Sequence, residues 1–193
     1  MQQQDLDLAQ IQAVLNGDTK VYADLVKRHQ RFVFTLALRF TKNREDAEEV
    51  AQDCFLKAYR ALGTFRQGSK FSTWLYTITY TSAMTALRKK KLSLVSLDDE
   101  EYNLQPVNGL TDFDADTIEK KSSYVYLNMA IESLLPDDAA IITLFYKGEQ
   151  SLEEIGKVLL MEPNTVKVKL HRARLRLKEK IQHLLKDEVN ELI

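Results

Sequence analysis

Cysteine occurs only once in the sequence, at Cys54, so no intrachain disulfide framework is possible and a reducing compartment is expected. No apolar run approaches the roughly 20 residues that cross a bilayer. The first ten residues, MQQQDLDLAQ, are polar and acidic, unlike a signal peptide or a membrane anchor. The sequence therefore favours a cytoplasmic protein with no membrane insertion of its own.

Histidine is nearly as scarce, with three residues in 193, and none has a second His or Cys at metal-ligand spacing. We therefore expect no metal site and no cofactor. His29 falls on the apolar stripe of a predicted helix, where a half-buried, hydrogen-bonded histidine is the expected role. The period-two alternation of β-strands is missing over any useful length. The sequence therefore predicts an all-α protein.

Charge and periodicity divide the chain into two parts joined by an acidic segment. Residues 1–91 carry fifteen basic and nine acidic residues, whereas residues 92–121 carry two basic and eight acidic ones. The segment 92–121 has no helical periodicity, which is typical of a flexible linker. It can act as a solvated tether or mimic a nucleic-acid strand in a basic channel. We predict two small helical domains, at 1–91 and 122–193.

Helix boundaries follow from cap and stop residues. The predicted helices cover 6–15, 19–41, 44–62, 71–91, 124–135 and 137–146, before a final helix pair. The residues expected to cap helices are Asp18 or Thr19, Asn43, Ser72, and, before the last helix, Asn164 or Thr165.

The final pair, Ser151 to Lys180, has the pattern of a helix-turn-helix. Ser151 and Glu154 match a capping box, and Pro163 interrupts the apolar period. The second helix has an apolar face and carries seven Lys or Arg against one acid, Glu179. A charged stripe is often only a solvated face, but such faces normally mix both signs. The pattern therefore favours contact with a DNA major groove.

The helix predicted over 44–62 is acidic in its first turns and basic near its end. This order suits the helix dipole. Its outer face also aligns Asp46, Glu49 and Asp53, which suits docking onto a basic partner. The two interpretations do not exclude each other.

A basic, glycine-containing loop at 64–70 precedes an aromatic-rich helix that ends in four basic residues, 88–91. Aromatic rings beside cationic side chains can stack unpaired bases and hold their phosphates. The alternative is that Trp74 and its neighbours are core, and that the basic cluster serves the helix C-terminus.

Four segments in this order resemble one family. They are DAEEVAQDCFLKAYRAL at 46–62, FSTWLYTI at 71–78, ESLLPDDAAII at 132–142 and TVKVKLHRARLRL at 165–177. Together they resemble the extracytoplasmic-function (ECF) sigma factors, the minimal class of the sigma-70 family, over nearly the whole chain. The resemblance implies a non-enzymatic promoter-specificity subunit of bacterial RNA polymerase. Its partners would be core RNA polymerase and promoter DNA, with an anti-sigma factor as a further one.

The resemblance also implies three functional sets of residues. The polymerase-binding set is Asp46, Glu49, Gln52 and Asp53. The minus-ten set, which would capture a flipped base of the melted strand, is Arg66, Gly68, Ser69, Lys70, Phe71, Trp74, Tyr76, Tyr80, Arg88 and Lys89. The minus-thirty-five set, which would read duplex DNA, is Asn164, Thr165, Lys167, Val168, Lys169, His171, Arg172 and Arg174. Domain 1–91 would thus correspond to sigma region 2 and domain 122–193 to sigma region 4.

Several residues depart from what is common in the family. Tyr80 and Thr81 stand where Arg-Asn is frequent, and Thr85 stands where Asp is frequent. Leu160 occupies a turn position that often holds glycine, and a left-handed leucine there would cost roughly 1 kcal/mol. Val168 replaces a common serine and would offer an apolar contact, such as one to a thymine methyl. We therefore expect this chain to read its own promoter sequence.

Two other classes of function compete with this interpretation. A stand-alone helix-turn-helix regulator would need a ligand pocket and would bind duplex DNA without polymerase. A nuclease would need carboxylates or histidines clustered around metal ions, and the acidic cluster at 45–53 has no accompanying histidine. The aromatic loop and the acidic helix face favour the sigma-factor interpretation.

Overall fold

The computed structural model describes residues 2–95 and 118–191, in which every regular element is helical and no strand occurs. The α-helices are α1 (Gln2–Leu15), α2 (Tyr22–Thr41), α3 (Arg44–Ala61), α4 (Phe71–Val95), α5 (Ile118–Glu132), α6 (Pro136–Ile142), α7 (Leu152–Leu159) and α8 (Pro163–Glu191). Short 3-10 turns cover Thr19–Val21 and Leu62–Thr64, and a π-helical turn, Thr143–Lys147, continues α6. The prediction of an all-α fold is confirmed.

Helices α1 to α4 form the first domain, in which α2, α3 and α4 pack pairwise. Leu36, Cys54 and Leu75, one from each of these three helices, are fully buried. The Cys54 thiol lies 3.2 Å from the hydroxyl of Thr79, and burial raises its pKa to about 12. Cys54 is therefore buried filler, as the sequence predicts, and is not a reactive thiol.

Helix α3 begins at the residue that the sequence predicts. The side-chain oxygen of Asn43 accepts a hydrogen bond from the backbone N–H of Asp46 at 2.9 Å, which satisfies one free donor of the first turn.

Three other predicted helix caps are wrong: Asp18 or Thr19, Ser72, and Asn164 or Thr165. Asp18 makes no side-chain cap hydrogen bond, because a 3-10 turn separates it from α2. Helix α4 begins at Phe71, so Ser72 lies within its first turn, and the carbonyl of Lys70 accepts the first helical bond. Helix α8 begins at Pro163, whose fixed φ suits the first helical position, so 164 and 165 follow the cap.

The helices next to the predicted linker are longer than expected. Helix α4 continues to Val95 and α5 begins at Ile118, so both enter the segment 92–121. The rest of that predicted acidic linker lies outside the described residues.

His29 is buried, with 3% of its surface exposed, and makes a polar contact as predicted. Its Nε2 lies 3.1 Å and 3.2 Å from the two carboxylate oxygens of Asp7, which also forms an ion pair with Arg28. Asp7 is on α1 and its partners are on α2. The cluster therefore fixes the N-terminal helix to the domain, and the periodicity of either helix alone gave no sign of it.

Helices α5 to α8 form the second domain around the apolar face of α8. Val166, Leu170 and Ala173 on that face are buried against α6 and α7. The predicted capping box is present, since Ser151 accepts from the N–H of Glu154 and the Glu154 side chain accepts from the N–H of Ser151. This arrangement fixes where α7 begins.

The turn between α7 and α8 is left-handed at Leu160, with φ 55° and ψ 45°. Its side chain is 69% exposed, so packing offers little compensation for this conformation. At Gly156 an added Cβ would lie 2.6 Å from the carbonyl oxygen of Met161, which explains why the close turn needs glycine there. The strained position that the sequence indicated is therefore real.

Leu160→Gly is expected to raise the free energy of unfolding by about 0.5–1 kcal/mol. Relief of the left-handed strain, about 1–2 kcal/mol, exceeds the entropy that glycine adds to the unfolded chain, about 0.4–1 kcal/mol. Urea denaturation followed by circular dichroism measures the change. Leu175→Gly is the matched control, because Leu175 is also exposed but lies inside α8, where glycine should destabilise by about 1 kcal/mol. Destabilisation by both variants would contradict the prediction.

Candidate nucleic-acid interface

The first half of α8 presents a polar and basic face opposite its buried stripe. Asn164, Thr165, Lys167, His171 and Arg172 are all exposed. Val168 lies among them with 49% of its surface exposed, although it is apolar. A rigid helix that α6 and α7 support from behind can place such side chains into a groove.

The basic residues of α8 differ in what they contact. Lys169 Nζ lies 2.8 Å from a carboxylate oxygen of Asp137. The Arg174 guanidinium lies over the rings of Phe145 and Tyr146, with 5.0 Å and 5.4 Å to the ring centroids. These two members of the minus-thirty-five set are therefore held within their own domain.

Lys167, His171 and Arg172 have neither an ion pair nor a side-chain hydrogen bond to any described residue. Arg176, which the sequence did not single out, forms an ion pair with Asp138 instead. The structure therefore leaves these three side chains available for a ligand outside the domain.

The minus-ten set begins in the loop before α4. Arg66 and Gly68 are exposed, and Ser69 and Lys70 are partly exposed. Lys70 Nζ lies 3.1 Å from the carboxylate of Glu154 on α7. The loop is thus on the surface, but its lysine is already in contact with the second domain.

Two of the four aromatic rings in the minus-ten set are buried and pack against other aromatic side chains. Phe71 is buried between His29 and Phe65, at centroid distances of 5.4 Å and 5.8 Å. Tyr76 is also buried and stacks on Phe32 at 4.4 Å, and burial raises its pKa.

The other two rings remain partly exposed. Trp74 packs at a tilt against Phe65, with 5.4 Å between centroids, and Tyr80 packs edge-on against Phe40 at 5.3 Å. Trp74 lies one turn into α4 beside the loop, and part of its ring faces solvent. Arg88 and Lys89 are exposed near the other end of α4.

The polymerase-binding set lies on α3. Glu49 and Gln52 are exposed, whereas Asp46 pairs with Lys90 at 2.7 Å and Asp53 pairs with Lys57 at 2.6 Å. The three acids line a cleft of about 480 Å³ between α3 and α4, which Lys89 also lines.

Two apolar residues of α3 extend this face and were missed in the sequence. Leu56 is 58% exposed and Tyr59 is 42% exposed, although both are large. Leu56 lies four residues after Gln52, so the two share a face. Following the helical period along the outer, acidic face of α3, and not only along its buried face, would have identified Leu56.

None of the helices in the described part of the chain is long and apolar enough to cross a membrane. Within the same residues, no three His, Cys, Asp or Glu side chains come together as metal ligands.

Two protein-family models match separate parts of the chain. The family model described as Sigma-70 region 2 matches residues 25–92, and the model described as Sigma-70, region 4 matches residues 124–177.

Curated relatives match over nearly their whole length. The ECF RNA polymerase sigma factor SigW of Bacillus subtilis (strain 168) is 33% identical over 180 residues, which cover 90% of this chain and 96% of that protein. The ECF RNA polymerase sigma-E factor of Escherichia coli (strain K12) is 32% identical over 192 residues, which cover 96% of this chain and 100% of that protein.

Solved structures share the fold. The sigma factor RpoE of Bartonella quintana, in complex with the anti-sigma factor NepR, matches with a TM-score of 0.65 at 22% identity, over 84% of this chain and 98% of that one. CnrH, in complex with the cytosolic domain of CnrY, matches with a TM-score of 0.61 at 19% identity, over 91% of this chain and 96% of that one.

Proposed function

Because the chain belongs to the ECF sigma factors of the sigma-70 family, we propose that its two helical domains read a single promoter at two places. The protein binds core RNA polymerase, recognises promoter DNA and initiates transcription of a specific set of genes. The first domain takes the roles of polymerase binding and minus-ten recognition, and the second reads the minus-thirty-five element. The observation that carries the proposal is that Lys167 and Arg172 are exposed on α8 and have no ion pair with any described residue, in a chain that matches both sigma regions.

We assign duplex reading to the first half of α8. Its N-terminal residues face base edges when such a helix enters the major groove. Lys167 and Arg172 can neutralise phosphates or donate to guanine, and Val168 can contact a thymine methyl. Lys169 and Arg174 contribute less, because the domain already holds both.

We assign strand capture to the loop 66–70 together with Trp74. Opening base pairs is unfavourable, since each stacked step is worth about 1.4 kcal/mol. Stacking a flipped base on an aromatic ring returns roughly 1–3 kcal/mol, and hydrogen bonds from the loop to the edge of the base would favour one base over the others. Strand opening is therefore favoured only when polymerase holds both domains on the same promoter, and the free protein binds DNA weakly.

We assign polymerase docking to the outer face of α3. Gln52 and Glu49 lie about one and two helical turns before the exposed Leu56 on the same side of α3, so polar groups adjoin an apolar centre. Asp46 and Asp53 lie on the same helix but already form ion pairs with Lys90 and Lys57, so we expect them to contribute less to polymerase binding.

The protein acts in the cytoplasm as a non-enzymatic subunit, because its partner polymerase performs the chemistry. One similar structure is the sigma factor RpoE in complex with the anti-sigma factor NepR, and we propose that an anti-sigma factor also binds this chain.

Reconstitution with bacterial core polymerase tests the proposal. The chain is expected to form a stable complex with core and to direct initiation from duplex promoters and from pre-melted bubble templates. Duplex binding without polymerase that is as strong as binding with it would instead support a stand-alone regulator. Failure to bind core would reject the proposal.

A further inference from the structure

The helix-turn-helix domain covers the start of α4. Thr73, which is 1% exposed, donates to the side-chain oxygen of Gln150 at 2.7 Å, and Gln150 is itself buried. Beside this bond, Lys70 forms its ion pair with Glu154. Residues of the predicted strand-capturing region are therefore bonded to the entry and first turn of α7.

A second polar contact joins the end of α2 to the other side of the second domain. Lys42 Nζ donates to the carbonyl oxygens of Glu132 and Leu134 at 2.7 Å and 3.1 Å, at the C-terminal end of α5. The buried Arg39 donates to the hydroxyl of Thr143 at 3.2 Å. Cations are favourable at a helix C-terminus, so this contact holds the domains with specific geometry.

This packed arrangement cannot read a whole promoter. Elements centred about 25 base pairs apart lie about 85 Å apart along duplex DNA. A compact chain of this length has a radius of gyration of only about 16 Å. The residues between Val95 and Ile118 permit a covalent separation of up to roughly 80 Å beyond the domains themselves. The domains must therefore separate when both elements are bound.

We propose that the free protein is held closed by its own helix-turn-helix domain, with the Glu154 carboxylate occupying the place of a DNA phosphate at Lys70. The inference rests on the proposed role of loop 66–70 in strand capture. Closure keeps the basic loop neutralised until polymerase pulls the domains apart. Promoter strands and Glu154 then compete for the same ammonium group, so DNA binding and closure exclude each other.

Glu154→Gln removes the competing charge and keeps the helix, because glutamine also completes a capping box. Glu153→Gln is the matched control: it makes the same charge change one residue earlier, at an exposed position outside the contact with Lys70. The probe is a single-stranded oligonucleotide of the minus-ten sequence that the holoenzyme selects. Fluorescence anisotropy of the full-length free protein is expected to show three- to tenfold tighter binding for Glu154→Gln and less than a twofold change for Glu153→Gln. Equal changes in affinity for both variants would contradict the proposed competition between Glu154 and the DNA strand for Lys70.

Closure itself is tested without DNA. Lys42 ends α2 with a left-handed φ of 54°, so Lys42→Gly removes the side-chain contact without straining the helix end. Small-angle X-ray scattering is expected to give a compact wild-type particle and a larger radius of gyration for the Lys42→Gly, Glu154→Gln double variant. An extended wild-type chain, or a double variant as compact as the wild type, would overturn the proposal. If no variant binds the oligonucleotide, the assignment of strand capture fails, and scattering still decides whether the chain is closed.

Discussion

Leu56→Glu is expected to weaken binding to core RNA polymerase about 30-fold or more. Burying a leucine side chain contributes roughly 1.5–3 kcal/mol, and an unpaired carboxylate in the same apolar contact adds a desolvation cost. Each 1.4 kcal/mol is about tenfold in affinity. Because Leu56 is 58% exposed in the free protein, the substitution should leave the fold intact.

Competition with labelled wild-type protein for core polymerase measures this effect, and circular dichroism checks the fold. Leu15→Glu is the matched control, since Leu15 is 48% exposed and lies at the end of α1 rather than on α3. It should bind core as the wild type does. If the two variants lose affinity equally, or if neither does, the outer face of α3 is not the docking surface.

Substituting Arg172 and Lys167 singly by alanine should separate base reading from phosphate contact in α8. A side chain that reads one base pair contributes roughly 1–3 kcal/mol of discrimination, or about 5- to 150-fold, at that position alone. A phosphate contact should weaken every sequence alike and reduce the salt dependence of binding. Arg172 is expected to behave as the base reader and Lys167 as the phosphate contact, because Arg172 has the planar donor pair that guanine accepts.

The experiment compares each holoenzyme variant on promoters randomised in the minus-thirty-five element, at two salt concentrations. Lys178→Ala is the control, since Lys178 is also exposed on α8 but lies about three turns after Lys167 and nearly two turns after Arg172, further from the N-terminal residues that face base edges. If Arg172→Ala weakens binding to every sequence equally, Arg172 is a phosphate contact and not a base reader. If neither substitution weakens promoter binding, α8 is not the helix that reads the minus-thirty-five element.

The sequence predicted those features that periodicity or a local bond determines. The apolar stripes of α2, α3 and α8, the Asn43 cap and the Ser151 capping box each follow from neighbours within about one helical turn. The strain at Leu160 was also foreseen, because this turn position often holds glycine and a leucine that adopts the left-handed conformation there is strained.

Contacts between distant elements were not predictable in this way. The hydrogen bonds from Lys42 to the end of α5 and from Thr73 to Gln150 join residues 77 to 92 positions apart. Neither Lys42 nor Thr73 belongs to a periodic pattern. The burial of Phe71 and Tyr76 was hidden for a related reason: a ring that packs in a core and a ring that stacks a base have the same spacing. Only the packing of α1, α2 and α7 around α4 separates these cases.

Selection of promoters from a randomised duplex library by core polymerase carrying this protein tests the central claim most directly. The claim predicts that initiating templates share two short sequence blocks at a fixed separation. Permanganate should detect unpaired thymines only around the downstream block. One block alone, enrichment without polymerase, or initiation with no strand opening near either block would contradict it.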